Sequence, residues 1–393
     1  MNIKAILILF TIVSIYLGIH IFFYFSFINF FATEGRGARR LLLIILLGLA
    51  LSVIFLMILV RFNNFFIFRI FYGLSSFWAG FIFILFLAII IAWAVILILR
   101  IFNIESALLV GAFSIVIALV YSFLGLWNTF NPEVKDVEVK IRNLANGWEN
   151  KKIVQLSDVH LGRLMGRGFA KNVVNKVNAL HPDLVLITGD LFDGMGSDPN
   201  NFLDILNKLE SKEGVYFVTG NHEGYLGSQN IIGKLRGSKI TVLENKIVNF
   251  DGLQVVGLSY PEFNGVKQKE SIVKNLPGFD GQKTNILLYH VPMSIEQRFG
   301  DAGSQQTQTY LQPNTDFTAV KEMGIDLQLS GHTHAGQFFP FTKLGNFIFN
   351  GFNYGLMSDG DFNLYITSGT GTWGPPIRTG PKSEIVQIKL VNK

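Results

Sequence analysis

The stretch KIVQLSDVHLG, residues 152–162, decides the reading of the fold: Ile153 to Ser157 is a short apolar run of strand type, and it ends on two metal-ligand types, Asp158 and His160. The arrangement recurs downstream. Leu184 to Thr188 runs into Asp190, Val215 to Thr219 into Asn221 and His222, Ile286 to Tyr289 into His290, and Leu327 to Ser330 into His332 and His334. One such junction carries little weight. Five of them describe a single site along one edge of a sheet, because residues on loops just past strand ends converge outside the carboxyl edge of an α/β sheet.

Working outward from these junctions, Phe169 to Leu180 has apolar residues at helical spacing and stops at His181-Pro182, and Asn201 to Leu209 repeats this after Asp198-Pro199. Strand, helix, strand, helix, strand follows. Val134 to Ile141 alternates apolar and charged residues as a half-buried strand, and Asn146-Gly147 offers a hairpin turn into the next one. Lys246 to Phe250, Leu253 to Leu258, Phe347 to Gly351, Leu364 to Ser368 and Glu384 to Val391 are strand-like with few helices between them. This half is therefore a βαβ core with β-rich additions. Ala302 to Thr315, rich in Gln, Thr and Ser, reads as a surface loop or flap.

Five of the seven histidines stand at the junctions. Together with Asp158, Asp190 and Asn221 they offer imidazole, carboxylate and amide oxygen, a donor mixture suited to Mn, Fe or Zn. The absence of cysteine excludes disulfides and thiolate zinc sites. There are too many ligands for one tetrahedral ion. A bridging carboxylate resolves this: two ions about 3.5 to 4 Å apart share one carboxylate and one hydroxide, which attacks phosphorus in line. Taken singly, each residue has a structural reading, Asp158 as a helix cap, Asp190 as a turn aspartate, Asn221 in an Asx turn. The ordered set does not.

The runs Asp158-Val159-His160, Gly189 to Asp193, Gly220-Asn221-His222-Glu223, His290 and Gly331 to His334 resemble the signature of the calcineurin-like metallophosphoesterases. That resemblance implies a four-layer αββα sandwich. It also implies that Asp158, His160, Asp190 and His334 hold one metal and Asp190, Asn221, His290 and His332 a second, with Asp190 as the bridge. By the same resemblance His222 contacts phosphate and protonates the leaving oxygen, and Asp193 orients it or a metal-bound water. The runs 324–340 and 368–385 resemble the membrane-associated branch, which includes UDP-2,3-diacylglucosamine pyrophosphatases and transmembrane phosphoesterases. An arginine that protein phosphatases carry soon after the second Asp motif is replaced by Gly194-Met195-Gly196, which disfavours phosphoprotein substrates. Outside the signature, Glu223 reads as a solvated loop carboxylate, His181 as a helix-end residue, and Arg378 as a phosphate contact or a surface arginine.

The first third of the chain is of another kind. A hydrophobic fraction of 50% is too high for one soluble globule, and four apolar stretches, Ala5 to Phe31, Leu41 to Val60, Phe77 to Leu99 and Ala107 to Trp127, each reach the roughly 20 residues that cross a bilayer. The first is longer than the core of a cleavable signal peptide and is expected to remain. Phe62 to Leu74 reads as an interfacial segment rather than a fifth crossing. His20 and Asn29, inside the first stretch, suit interhelical or interfacial polar contacts. The basic residues of residues 1–130 account for the whole net charge of +5, so the remainder is balanced and a basic pI is no argument for nucleic acid.

The expected organisation is a multi-pass membrane domain over 1–130 and a metallophosphoesterase domain over 131–393. Lys and Arg flanking the spans lean the catalytic half toward the cytoplasm, six against four. The expected function is a membrane-embedded phosphohydrolase with two divalent ions, cleaving a phosphate ester or pyrophosphate of a small-molecule, lipid-linked or nucleotide-linked substrate. The alternative is a non-catalytic scaffold or sensor anchored in the membrane.

Overall fold

The computed structural model describes residues 3–62, 65–260, 273–295 and 313–393. The chain separates into two compact units, one of residues 1–127 with 374–377 and the other of residues 128–373 with 378–393.

The first unit holds four helices, α1 (Ile3–Phe30), α2 (Arg36–Phe62), α3 (Phe66–Ile101) and α4 (Ala107–Phe130). All four are long and apolar enough to cross a membrane, where only structures that satisfy their own backbone groups are tolerated. At 36 residues α3 is about 54 Å long, well beyond a hydrocarbon core of roughly 30 Å. The expected interfacial segment is therefore not a separate element, since its described part from Phe66 onward is the start of α3. Between helices, Trp78 Nε1 donates to His20 Nε2 at 3.0 Å, and His20 Nδ1 reaches Tyr16 O at 2.8 Å. With Nε2 accepting, the ring proton lies on Nδ1, so both ring nitrogens are satisfied. Trp93 Nε1 likewise donates to Ser26 Oγ. Asn29, by contrast, bonds back to Phe25 O of its own helix. Gly111 lets α1 approach α4, because a Cβ there would lie 2.6 Å from the ring of Phe30.

The second unit is built on two six-stranded sheets. One runs β1 (Glu133–Ile141), β12 (Glu384–Asn392), β2 (Lys152–Leu156), β3 (Leu184–Thr188), β4 (Val215–Val218), β5 (Ile240–Val242). The other runs β10 (Gly355–Asp359), β11 (Phe362–Ile366), β9 (Leu327–Ser330), β8 (Thr284–Leu288), β7 (Leu253–Gly257), β6 (Lys246–Asn249). The strands β2 to β5 are mutually parallel, as are β7, β8, β9 and β11. Side chains alternate across each sheet with period two. Ile153, Leu184 and Leu186 face Val255, Ile286, Leu288 and Leu329 in a core between the sheets. Val154, Leu156, Val185 and Ile187 point the other way, onto Phe169, Val173 and Val177 of α5 (Arg167–Ala179). Beyond the second sheet, Leu287 and Leu364 pack with Val320 of α9 (Thr318–Glu322). Helix, sheet, sheet, helix is the four-layer order that the resemblance implies. Strands buried on both faces lose the apolar–polar alternation, which is why the junction strands read as continuous apolar runs.

Three local expectations are corrected. There is no hairpin at Asn146-Gly147, because β12 inserts between the two strands, parallel to β1 over its whole length and antiparallel to β2. Phe347 to Gly351 is not a strand: Phe341–Ile348 forms α10, whose Phe341, Leu344 and Ile348 have helical spacing. Asn201 to Leu209 is reduced to a tight turn at Pro199–Asn201, capped by Asp198 Oδ1 accepting from Asn200 N, and a four-residue α6 (Leu203–Leu206). Of the expected flap, residues 302–312 lie outside the described residues.

Candidate metal centre

The carboxyl ends of β2, β3 and β4 are neighbours in one sheet and those of β8 and β9 are neighbours in the other, and all five deliver their polar residues to one place. His290 Nδ1 meets Thr188 O at 2.7 Å, which joins the two sheets at that edge. Here the backbone is strained: Asp158, His160, Asp190, His332 and His334 all have φ between 49° and 71°. Left-handed backbone at a residue with a Cβ costs about 1 kcal/mol or more, and such positions cluster where function over-determines them. Gly331 is required for a different reason. A Cβ there would overlap Asp158 Oδ2 and Ser157 Oγ.

Two clusters of candidate metal donors result. In the first, His334 Nε2 lies 3.2 Å from Asp158 Oδ1 and 3.0 Å from His160 Nε2. In the second, Asn221 Oδ1 lies 3.1 Å from His290 Nε2 and 2.9 Å from His332 Nδ1. Asp190 Oδ2 faces both, 3.2 Å from His290 Nε2 and 3.9 Å from His160 Nε2. All seven side chains are buried. The His160 Nδ1 atom has no hydrogen-bond partner, and the Nε2 of the same ring is turned toward His334 and the carboxylates. Buried nitrogen and oxygen donors crowded this closely fit divalent cations of the Mn, Fe or Zn kind, and Asp158, His160, His334 and Asp190, His290, His332 each group tightly enough to hold one.

That crowding also sets the electrostatics of the cluster. Burial alone would raise the Asp158 carboxyl, but His334, His290 and His160 around it hold it well below the usual carboxylate range. Asp190 is depressed in the same way, mainly by His290. Burial opposes a charge on His290, yet Asp190 raises it to about 9, and the charged His290 in turn helps burial push His332 down to about 3. The charged forms of His290 and Asp190 thus favour each other.

Beside the ligands lies His222, its ring 4.4 Å from that of His160 and its side chain 14% exposed, more open than the ligands. Its amide donates to Asp190 Oδ1 at 2.8 Å. Burial opposes its charge, but Asp193 and Asp190 raise its pKa overall. Asp193 Oδ1 is 3.6 Å from His222 Nδ1, and the closer contact there is the N–H of Gly194, which donates at 3.0 Å. The sequence drew notice to Gly194 only as part of the Gly194-Met195-Gly196 run, not for this bond.

Two further side chains differ from their sequence readings. Glu223 is fully buried, not solvated: Oε2 accepts from Gly220 N at 2.7 Å and Asp190 N at 3.0 Å, and Oε1 from Phe192 N at 3.0 Å. It ties the end of β3 to the end of β4, and burial together with Asp190 raises its carboxyl to about 7. The spacing Gly-x-x-Glu at the start of α7 (Asn221–Leu226) is a capping signal that could have found it. Arg378 is also fully buried, neither a surface arginine nor an open phosphate contact, and burial pushes it down to about 10. It lies in the 368–385 run, which passes under the first ligand set as Thr370 N and Gly371 N donate to Ser157 O and Asp158 O. His181 stands apart, exposed after α5.

Comparison with known proteins follows the same lines. Residues 151–336 match the family described as calcineurin-like phosphoesterase. The chain is 35% identical over 266 residues to an uncharacterized metallophosphoesterase of Helicobacter pylori, covering 67% of this chain and 65% of that one. It is 33% identical over 309 residues to a Danio rerio protein named as a transmembrane protein with metallophosphoesterase domain, covering 73% and 65%. An uncharacterized metallophosphoesterase of Aquifex aeolicus is 27% identical over 276 residues, 67% of this chain and 94% of the relative. The chain thus spans about 65% of the length of the first two relatives.

Proposed function

We propose that this chain, whose residues 151–336 match the family described as calcineurin-like phosphoesterase, is a membrane-embedded phosphohydrolase, holding two divalent ions and cleaving a phosphate ester or pyrophosphate bond. The observation that supports this reading is that Asp190 Oδ2 lies between two clusters of buried donor atoms, 3.2 Å from His290 Nε2 and 3.9 Å from His160 Nε2, with the His222 ring 4.4 Å from that of His160. Asp158, His160, Asp190 and His334 would hold one ion, and Asp190, Asn221, His290 and His332 the other. Such ions supply a nucleophile at neutral pH and stabilise charge developing on the phosphoryl oxygens.

The chain's own residues supply position and protons. Glu223 fixes the Asp190 amide and the His222 amide fixes Asp190 Oδ1, so the residue is held at two points while Oδ2 faces both clusters. Asp193 and Asp190 favour the protonated His222 ring, which can pass a proton to a leaving oxygen and return to neutral imidazole. Asp193 stabilises the charged ring.

The substrate reading is a lipid-linked or nucleotide-linked phosphate met at the bilayer surface. Supporting it, α4 ends at Phe130, with only Asn131 and Pro132 between it and the start of β1 at Glu133. Directly after the His332/His334 loop, Phe339, Phe341, Leu344 and Phe347 of the α10 region are exposed, Phe347 by 80%, an apolar surface of the kind that engages acyl chains. The flanking basic residues, six against four, lean the catalytic domain toward the cytoplasmic face. Purified full chain, stripped of metal and reloaded with Mn2+, should hydrolyse p-nitrophenyl phosphate or its bis ester. Absence of metal-dependent turnover on either would defeat the proposal.

A further inference from the structure

The buried guanidinium of Arg378 makes all its hydrogen bonds to carbonyl oxygens and one ring nitrogen. Nη2 donates to Ser368 O at 2.5 Å, Gly371 O at 2.9 Å and His334 Nδ1 at 2.9 Å, while Nη1 donates to His334 O at 3.4 Å and Pro381 O at 3.3 Å. Nε adds Gly371 O at 3.2 Å. The pocket is shaped for it. At Gly369, φ +90°, a Cβ would come within 3.0 Å of Asp158 Cβ, 3.2 Å of Arg378 Nη2 and 3.3 Å of His334 Nδ1.

A buried charge without a carboxylate bonded to it is costly, and this one grips a single residue by both ring and backbone. A guanidinium can only donate. His334 Nδ1 must therefore accept, and the ring is turned so that Nε2 points at Asp158 Oδ1, 3.2 Å away, and at His160 Nε2, 3.0 Å away. We propose that Arg378 is a positioning residue of the first ligand set, clamping His334 through Nδ1 and its carbonyl so that Nε2 is aimed into the site. The clamp also fixes the neutral tautomer of His334 in the metal-free chain, with the proton on Nε2. The inference rests on the two-ion reading of this centre.

Two measurements test it. In the metal-free full chain in micelles, nitrogen NMR of labelled histidine should show His334 Nδ1 unprotonated and Nε2 protonated; Nδ1 protonated would overturn the clamp, with no variant needed. In metal titrations against a competing chelator, Arg378→Met should weaken one of the two ions by roughly 10- to 100-fold, the range for losing a partner of a metal-ligating histidine, and leave the other unchanged. Arg378→Lys should recover part of the loss. In a His334→Asn background, Arg378→Met should have no further effect on metal binding, because both act on one ligand. Two ions held by Arg378→Met with wild-type affinity, or an equal loss in the His334→Asn background, would overturn the proposal. Should Arg378→Met not fold, Arg378→Lys and the tautomer decide. A wild-type chain that takes up no metal would instead sink the two-ion reading, and the NMR result would still judge the clamp.

Discussion

Replacing Gly220 by alanine isolates the geometry on which the shared carboxylate depends. Its φ of −105° and ψ of −169° are extended backbone open to any residue, so a methyl group adds no conformational strain. The added Cβ, however, would overlap Asp190 Oδ1 and lie 2.7 Å from Asp190 N and 2.9 Å from its Cγ, where ordinary contact begins at 3.4 Å. Relieving this requires Asp190 to withdraw by about 1 Å, on the scale at which misplaced groups cost on the order of 100-fold in rate. The withdrawal breaks the 2.8 Å bond from His222 N and disturbs the Glu223 tie. Overpacking at one methyl costs about 1 to 3 kcal/mol, so Gly220→Ala should still fold. Mn2+ affinity by chelator competition should fall by at least about tenfold, and kcat/KM on p-nitrophenyl phosphate by about 100-fold. Gly233→Ala, in α8 (Ser228–Leu235) with nothing within 4 Å of its Cβ, is the control and should change neither. Wild-type affinity and rate in Gly220→Ala would refute the reasoning.

Asp190→Asn should abolish turnover and lower metal content below two ions per chain by elemental analysis, because both sets lose their shared charge. His222→Ala should keep both ions and lose about 100- to 10,000-fold in kcat, the range for a positioned proton donor; loss of metal instead would make it a ligand. In the metal-free chain, His290 is raised from 6.5 to about 9 and fully buried. A raised base stabilises the fold below its unfolded pKa and loses that contribution as pH rises through the folded one, so stability to denaturant should fall by about 3 kcal/mol between pH 6.5 and 9. His290→Gln should flatten the fall. Phe347→Ser should raise KM for a phosphate ester embedded in vesicles and leave p-nitrophenyl phosphate hydrolysis unchanged, and an equal effect on both substrates would detach α10 from lipid.

Most of the residues that gather at the candidate site were legible because the signal is local: a short apolar run followed by Asp, Asn or His carries both the strand and what the strand end presents. The membrane helices were legible for a similar reason, since length and apolarity are properties of one contiguous stretch. What escaped depends on partners distant in sequence. β12 pairs with strands more than 200 residues earlier, and a turn signal at Asn146-Gly147 could not reveal it. Glu223 and Arg378 are charged types that favour solvent unless satisfied, and their donors and acceptors come from other loops. α10 was hidden by its aromatic, strand-like composition, and its apolar face stays exposed where sequence patterning assumes burial.

Hydrolysis of a phosphate bond by two divalent ions that share Asp190 is the proposed chemistry. It is tested most directly by titrating Mn2+ into the metal-free full chain while following bis-p-nitrophenyl phosphate and p-nitrophenyl phosphate hydrolysis. The expected result is activity that rises to a plateau at two ions per chain and vanishes with chelator. A plateau at one ion, or hydrolysis that persists without metal, would contradict it.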